Sequence, residues 1–478
     1  MTANERGCCM STPNVILVMC DDLGYGDVGF NGNEVIQTPH LDAMAADGLR
    51  FTRFYAGGPV CSPTRGTCLT GRHYFRYGVT TANRGHLPNQ EITLARMLKS
   101  QGYRTGHFGK WHLGTLTQDV RDSRRGGRED THAHYAPPWE RDFDVCFSTE
   151  ARVPTWNPMV NEQTGEFFGT YYWNEKGESV DENMEGDDCR VVMDRALPFI
   201  QESVKNDQPF LSVIWFHTPH EPVVAGPEYR AMYSDYDEGE QHYYGCVTAM
   251  DEQVGRLRAE LKALGVDENT MVWFCSDNGP EGQTGQDGRQ RGSTAGLRGR
   301  KRSLFNGGVG VPACMVWPGH VNEGSVSEMP CSTLDYFPTI MDVMDSDMPD
   351  TRPIDGISLV PVLNGEMSTR PVPIPYRFLN QKDKMFDAPT LAMIDNQYKY
   401  LTNLSDTGEE DLCYDLLTDP FETNNVIDTQ RAFANNMQAA LREWLASCEH
   451  SHHGGDYDEP FSPVFSFEEV SGDWSMRS

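Results

Sequence analysis

Two apolar runs that each end in acidic residues constrain this chain most. Residues 15–20 lead directly into Asp21-Asp22, and residues 271–275 lead through Ser276 into Asp277-Asn278-Gly279. Short unbroken apolar runs bounded by turn formers read as strands buried on both faces, and residues 210–216 read the same way. Residues 103–108 and 311–317 are weaker strand candidates. Residues 41–48, 93–101, 188–205 and 243–264 carry the three- and four-residue spacing of amphipathic helices. Strands alternating with helices predict an α/β fold whose central mixed, mostly parallel sheet is flanked by helices.

In open sheets of this kind, ligands bind beyond the carboxyl ends of the strands. Asp21, Asp22, Asp277 and Asn278 gathered there would supply three carboxylates and an amide oxygen. Carboxylates so close together need a cation between them to stay ionised. An oxygen-only set of this size suits calcium or magnesium, and flexible geometry favours calcium. Taken singly, each acidic pair is equally at home in an ordinary turn.

Composition narrows the partners. Seventy acidic against 40 basic residues give a formal charge of -30, which disfavours nucleic acid and anionic membrane as partners. An anionic substrate would need its own local cluster of Arg, Lys and His. No stretch is apolar for the length of a membrane span. Residues 1–11 are polar and lack the apolar region of a signal peptide, so the sequence as it stands is expected to be cytoplasmic, or periplasmic or secreted if a leader has been removed. The 13 cysteines show no framework spacing and are expected to be mostly reduced and buried.

Two divisions are expected, residues 12–360 and residues 361–478. In the first, residues 115–187 read as a long aperiodic excursion over one end of the sheet, and residues 279–302 as a second long loop. In the second, short strands at 375–378, 390–394, 398–403 and 411–416 and a helix at 429–447 predict a smaller C-terminal α+β subdomain with an antiparallel sheet. The end, from Cys448 onward, reads as a polar surface segment carrying His450, His452 and His453.

Cys61-Ser62-Pro63-Thr64-Arg65-Gly66 follows Gly57-Gly58-Pro59 and leads into Leu69-Thr70-Gly71-Arg72. Pro63 at the first turn places Cys61 at a helix N-terminus, where unpaired N–H groups and the helix dipole meet it. Cys-x-Pro-x-Arg followed by Leu-Thr-Gly-Arg resembles the signature of the type I, formylglycine-dependent sulfatases of the alkaline phosphatase superfamily. Gly109-Lys110-Trp111-His112-Leu113-Gly114 is similar to their second signature. Asp21-Asp22-Leu23-Gly24, His220-Glu221-Pro222, Ser276-Asp277-Asn278-Gly279 and the segment from Leu297 through Lys301 to Gly307-Gly308 resemble further family motifs, in family order.

The resemblance implies an alkaline-phosphatase-like fold and hydrolysis of a sulfate ester, expected to be exo-acting on a sulfated sugar or oligosaccharide. It implies that a formylglycine-generating maturase oxidises Cys61 and that the hydrated aldehyde attacks sulfur. Asp21, Asp22, Asp277 and Asn278, with the residue at Cys61, would hold one calcium ion. Arg65, Lys110 and His112 would brace the nucleophile, while Lys301 and His220 would meet the sulfate and the leaving oxygen. The chain has Asn306 where the family often has Glu, and Arg300 and Arg302 flank Lys301 closely enough to blur its register. His217 competes with His220.

Trp139, Arg152, Trp156, Trp173 and Arg190 are candidates for a sugar subsite. His86 could reach the site, and His132 and His134 have a metal-like spacing without partners. The alternatives are a phosphonate monoester or phosphodiester hydrolase of the same superfamily, and a catalytically silent calcium-dependent sulfoglycan-binding protein.

Overall fold

The strand Asn14–Cys20 is paired in parallel on both sides. Leu17 lies opposite Val213 of Phe210–Trp215 and opposite Trp273 of Thr270–Ser276. Its side chains alternate between two cores: Val15, Leu17 and Met19 enter one, Ile16, Val18 and Cys20 the other. That is why residues 15–20 carry no polar side chain. The computed structural model describes residues 12–282, 289, 291–379, 389–405 and 408–461.

The ten-stranded sheet runs Ser325–Ser327, Leu49–Phe51, Ala313–Val316, Thr270–Ser276, Asn14–Cys20, Phe210–Trp215, Arg104–Lys110, Val145–Thr149, Tyr172–Asn174, Ser179–Val180. The stretch from Thr270–Ser276 to Val145–Thr149 is parallel, and antiparallel strands adjoin both of its sides. One face is covered by Cys61–Thr70, Leu94–Ser100 and Tyr336–Val343, the other by Pro39–Ala46, Asp188–Lys205 and Glu238–Ala263. The last begins at Glu238 rather than 243 because Asp237 and Glu240 form a reciprocal capping box there.

The sheet is wider than the sequence suggests. Residues 115–187, read as aperiodic, contribute Val145–Thr149 and the short hairpin strands Tyr172–Asn174 and Ser179–Val180. These strands, like Leu49–Phe51 and Ser325–Ser327, are too short to show a period; pairing with neighbours fixes them.

In the C-terminal part, Ile374–Arg377, Leu391–Ile394, Tyr398–Thr402 and Leu412–Asp415 form an antiparallel meander. One face packs on Tyr55, Val60, Leu304 and Val309; the other packs on Leu441 and Leu445 of the helix Arg431–His452. This helix corrects the expected surface segment. It runs through Cys448, and His452 is buried with its ring nitrogen Nδ1 donating to the Phe75 carbonyl. His450 and His453 remain exposed on its last turn. The 11 cysteines among the described residues are all free and buried; Cys8 and Cys9 lie outside them. No helix among the described residues is long and apolar enough to cross a membrane.

Candidate active site

Parallel pairing brings the ends of Asn14–Cys20 and Thr270–Ser276 side by side, Cys20 opposite Ser276. Asp21, Asp22, Asp277 and Asn278 therefore leave the sheet at one spot, all buried. Asp22 adopts a left-handed backbone, φ 69°, and its N–H donates to Asp277 Oδ1 at 3.2 Å. Such a conformation is costly for a residue with a Cβ and is held here by its surroundings. Gly279 is required beside it: a Cβ there would lie 1.9 Å from the Gly307 carbonyl oxygen.

Cys61 opens the wholly buried helix Cys61–Thr70, whose cap residue Val60 supplies no side-chain acceptor. Its Sγ lies 3.3 Å from Asp21 Oδ1. One turn on, Arg65 donates to Asp277 Oδ2 and, through Nη1, to the Lys110 carbonyl at 2.9 Å. Lys110, the last residue of Arg104–Lys110, is ion-paired with Asp21. Lys301 reaches Asp22 Oδ1 at 2.6 Å. Arg300 instead binds the Glu281 and Gly292 carbonyls, and Arg302 binds the Glu281 carboxylate at 2.8 Å, so Lys301 is the residue of that run aimed at the floor of the site.

One set of atoms from Asp21, Asp22, Cys61 and His220 lies within 4.8 Å of one another. Burial alone would raise the Asp21 carboxyl, but Lys110, His220, Arg65 and Lys301 hold it well below the usual range. Burial wins at Asp22, raised to about 7 despite Lys301, and burial with Asp21 raises Asp277. Burial, then Asp21 and Asp277, push the Cys61 thiol far above its ordinary value. An unmodified Cys61 is thus a protonated thiol and a poor nucleophile. Asn278 donates from Nδ2 to Asp22 Oδ1 at 2.7 Å, while its Oδ1 is buried without a partner. Asp21 and Asp22 within that cluster, with Asp277 and the orphaned Asn278 oxygen buried at the same strand ends, are the donor types that fit a hard divalent cation.

The site opens into a cavity of ≈590 Å³ lined among others by Cys61, Asn83, Lys110, His112, Arg124, Arg152, His220 and Lys301. His220 Nδ1 donates to the Glu221 carbonyl at 2.8 Å, and Nε2 lies 3.7 Å from Asp22 Oδ2. His217 does not line this cavity: its ring is held between Asp188 at 3.0 Å and Thr149 at 2.7 Å. His112, with φ 56°, pairs Nε2 with Asn83 Oδ1 at 3.0 Å and keeps a buried, unpartnered Nδ1.

Of the sugar-subsite candidates only Arg152 lines the cavity, ion-paired with Glu221. Trp173 is buried and donates to Asp122 at 2.8 Å, Trp156 packs over Gly226, Trp139 packs on the core, and Arg190 pairs with Asp194. His86 stacks edge-on to His134, 5.7 Å away, outside the cavity; His132 is exposed. Asn83, Arg124 and Glu281 also line the cavity and are not singled out by the sequence. They sit on loops without periodicity; the long loops at 115–187 and 279–302 contain Arg124 and Glu281 but single out neither.

Asn306 has its own work. Its N–H donates to Glu422 at 2.5 Å, its Nδ2 to the Pro420 carbonyl at 2.8 Å, and its Oδ1 accepts from Lys399 at 3.1 Å. It ties the Gly307-Gly308 segment to the C-terminal part.

Comparison with known proteins places the chain in a family. The family model described as Sulfatase matches residues 13–346, and one described as N-sulphoglucosamine sulphohydrolase, C-terminal, matches residues 299–451. N-acetylgalactosamine-6-sulfatase of Mus musculus is 32% identical over 75% of this chain and 68% of its own length. Arylsulfatase A of Homo sapiens is 33% identical over 74% and 68% respectively. Among solved structures, Ps i-CgsB in complex with k-i-k-neocarrahexaose superposes with a TM-score of 0.78 at 25% identity, covering 98% of this chain and 97% of that one. The phosphonate monoester hydrolase of Agrobacterium radiobacter shares the fold at 20% identity, TM-score 0.62, over 91% and 96% of the two chains. The chain belongs to the sulfatase family of the alkaline phosphatase superfamily and is a sulfuric ester hydrolase.

Proposed function

We propose that this enzyme removes sulfate from a sulfated carbohydrate by way of a formylglycine made from Cys61, with one calcium ion held by Asp21, Asp22, Asp277, Asn278 and the residue at position 61. The observation that carries the reading is Cys61 at a buried helix N-terminus, 3.3 Å from Asp21 Oδ1, on the floor of a cavity walled by Lys110, His112, His220 and Lys301. The relatives named for sulfated sugars support the carbohydrate class.

Oxidised by a maturase and hydrated, position 61 supplies a hydroxyl to attack sulfur and a second hydroxyl through which the sulfate later leaves by elimination. Calcium held by Asp21, Asp22, Asp277 and Asn278 would supply Lewis acidity, favouring an ionised hydroxyl and offsetting sulfuryl charge. Lys110 and Lys301 face Asp21 and Asp22 and are placed to balance charge on the transferring group. His220 spends Nδ1–H on the Glu221 carbonyl, leaving Nε2 to exchange the leaving-group proton. Burial holds His220 well below its ordinary pKa, and Asp21 opposes that shift. An anionic ester beside the ring acts in the same sense as Asp21 and favours the ring's protonated form. His112 presents bare Nδ1, because Nε2–H is engaged by Asn83, and can take the proton from the remaining hydroxyl.

The test is release of free sulfate from a panel of sulfated mono- and oligosaccharides by maturase-coexpressed protein, with Cys61→Ala as control. Release abolished in the variant supports the reading and names the sugar. Absence of release from a protein whose position 61 is converted, with turnover of an aryl phosphonate monoester or phosphodiester, overturns it.

A further inference from the structure

The catalytic floor accounts for its own cations. Arg65, Lys110 and Lys301 are each paired with an aspartate there, Arg152 is paired with Glu221, and Arg302 with Glu281. Arg124 differs. It lines the same cavity, yet makes no hydrogen bond or ion pair among the described residues, in a chain with 70 acidic residues to choose from.

Its position is built rather than loose. Asp122, two residues before it, bridges to Gly126 and accepts from Tyr171 N–H at 2.9 Å and from Trp173 Nε1 at 2.8 Å. Ser123 N–H donates to the Gly169 carbonyl at 2.6 Å. The neighbour Arg125 turns inward, to Glu150 at 3.3 Å and the Gly85 carbonyl at 2.9 Å. The loop tip is thus pinned on both sides of Arg124, which it presents to the cavity. Partial burial, and then Arg152, act against its charge and outweigh the opposing influence of Glu221, a net cost that an anionic ligand would offset. A second cavity of ≈630 Å³ shares Arg152 and Glu221 with the first and gives room for more than one sugar ring.

We infer that Arg124 binds a second anionic group of the substrate, a carboxylate or a further sulfate carried beside the reacting ester, and so selects multiply charged saccharides. This rests on the sulfatase reading above for its substrate class, and the arginine's fork geometry suits either anion.

Three matched saccharides test it: one bearing a single sulfate, one with an added uronic carboxylate, one with an added sulfate. The quantity read is the ratio of kcat/KM for each doubly charged sugar to that for the singly charged one. Arg124→Gln should lower that ratio about tenfold through KM, the scale of one charge-assisted hydrogen bond, and Arg124→Lys should recover part of it. The arm that shows the preference identifies the anion. An equal ratio in wild type and Arg124→Gln, for both added anions, overturns the inference. The same ratios measured as dissociation constants on the Cys61→Ala background separate the two readings. An Arg124-dependent binding preference there, with no sulfate released by wild-type protein converted at position 61, would leave the subsite standing and sink the hydrolysis.

Discussion

Arg65 places two donors on a single oxygen of Asp277, Nε at 3.1 Å and Nη2 at 2.7 Å. Both side chains are fully buried. A third donor, Nη1, fixes the Lys110 carbonyl, so one guanidinium joins the nucleophile helix, the second acidic strand end and the strand that carries Lys110. Removing it leaves a buried carboxylate uncompensated. Arg65→Ala should lose about 3–5 kcal/mol of stability, measured by chemical unfolding, and release no sulfate. Arg65→Lys should stay inactive too, since an ammonium cannot reproduce a three-donor fork onto Asp277 Oδ2 and the Lys110 carbonyl on separate elements.

Cys61 is small and its helix is secured by the packing of Cys68 and Leu69. Cys61→Ala and Cys61→Ser should therefore fold with unfolding midpoints close to wild type and release no sulfate. Peptide mass spectrometry of the wild-type protein should show position 61 converted to the aldehyde; a protein that turns over with an intact thiol would contradict the nucleophile assigned here.

Chelation should cost both activity and stability. Without a divalent ion Asp22 and Asp277 sit above the usual carboxylate range, chiefly through burial, and the ion relieves that by pairing with their charged forms. Calcium should raise the midpoint of chelated protein, and Asn278→Ala, which removes the orphaned oxygen, should weaken that response by at least about tenfold in calcium.

Asp27 offers a pH test away from the metal residues' own side chains. It accepts from Gly24 N–H at 2.7 Å, Ser293 N–H at 2.8 Å and Tyr243 Oη at 2.7 Å. Burial outweighs these bonds and raises its carboxyl to about 7. A raised acid holds its proton in the folded state where the unfolded chain has lost it. Its stabilisation is therefore full below about pH 4 and is lost as pH rises to about 7, at up to ~1.4 kcal/mol per pH unit. Asp27→Asn should flatten the stability–pH curve between those limits; an unchanged slope would sink the assignment.

Lys399 and Glu422 form a fully buried pair at 3.0 Å, and both also hold Asn306. Lys399→Ala should cost about 3–5 kcal/mol by stranding Glu422, and pairing it with Glu422→Gln should recover much of that loss in a double-mutant cycle.

The sequence by itself determined the parts whose signal is local. An unbroken apolar strand needs burial on both faces, so residues 15–20 and 271–275 announced the sheet centre and the acidic ends beyond it. Cys61 before Pro63 announced a helix start, and the motif order announced the family. Tertiary structure decided the rest. The edge strands from Val145 to Val180 have too few residues for a period and exist because a neighbouring strand offers them hydrogen bonds. His217 and His220 stand three residues apart, and only packing sends one to Asp188 and the other to the cavity. Lys301 was separated from Arg300 and Arg302 by the carbonyls that Arg300 captures and the Glu281 carboxylate that Arg302 captures. Arg124 is marked by having no partner among the described residues, and that is a property of the folded surroundings rather than of any residue type.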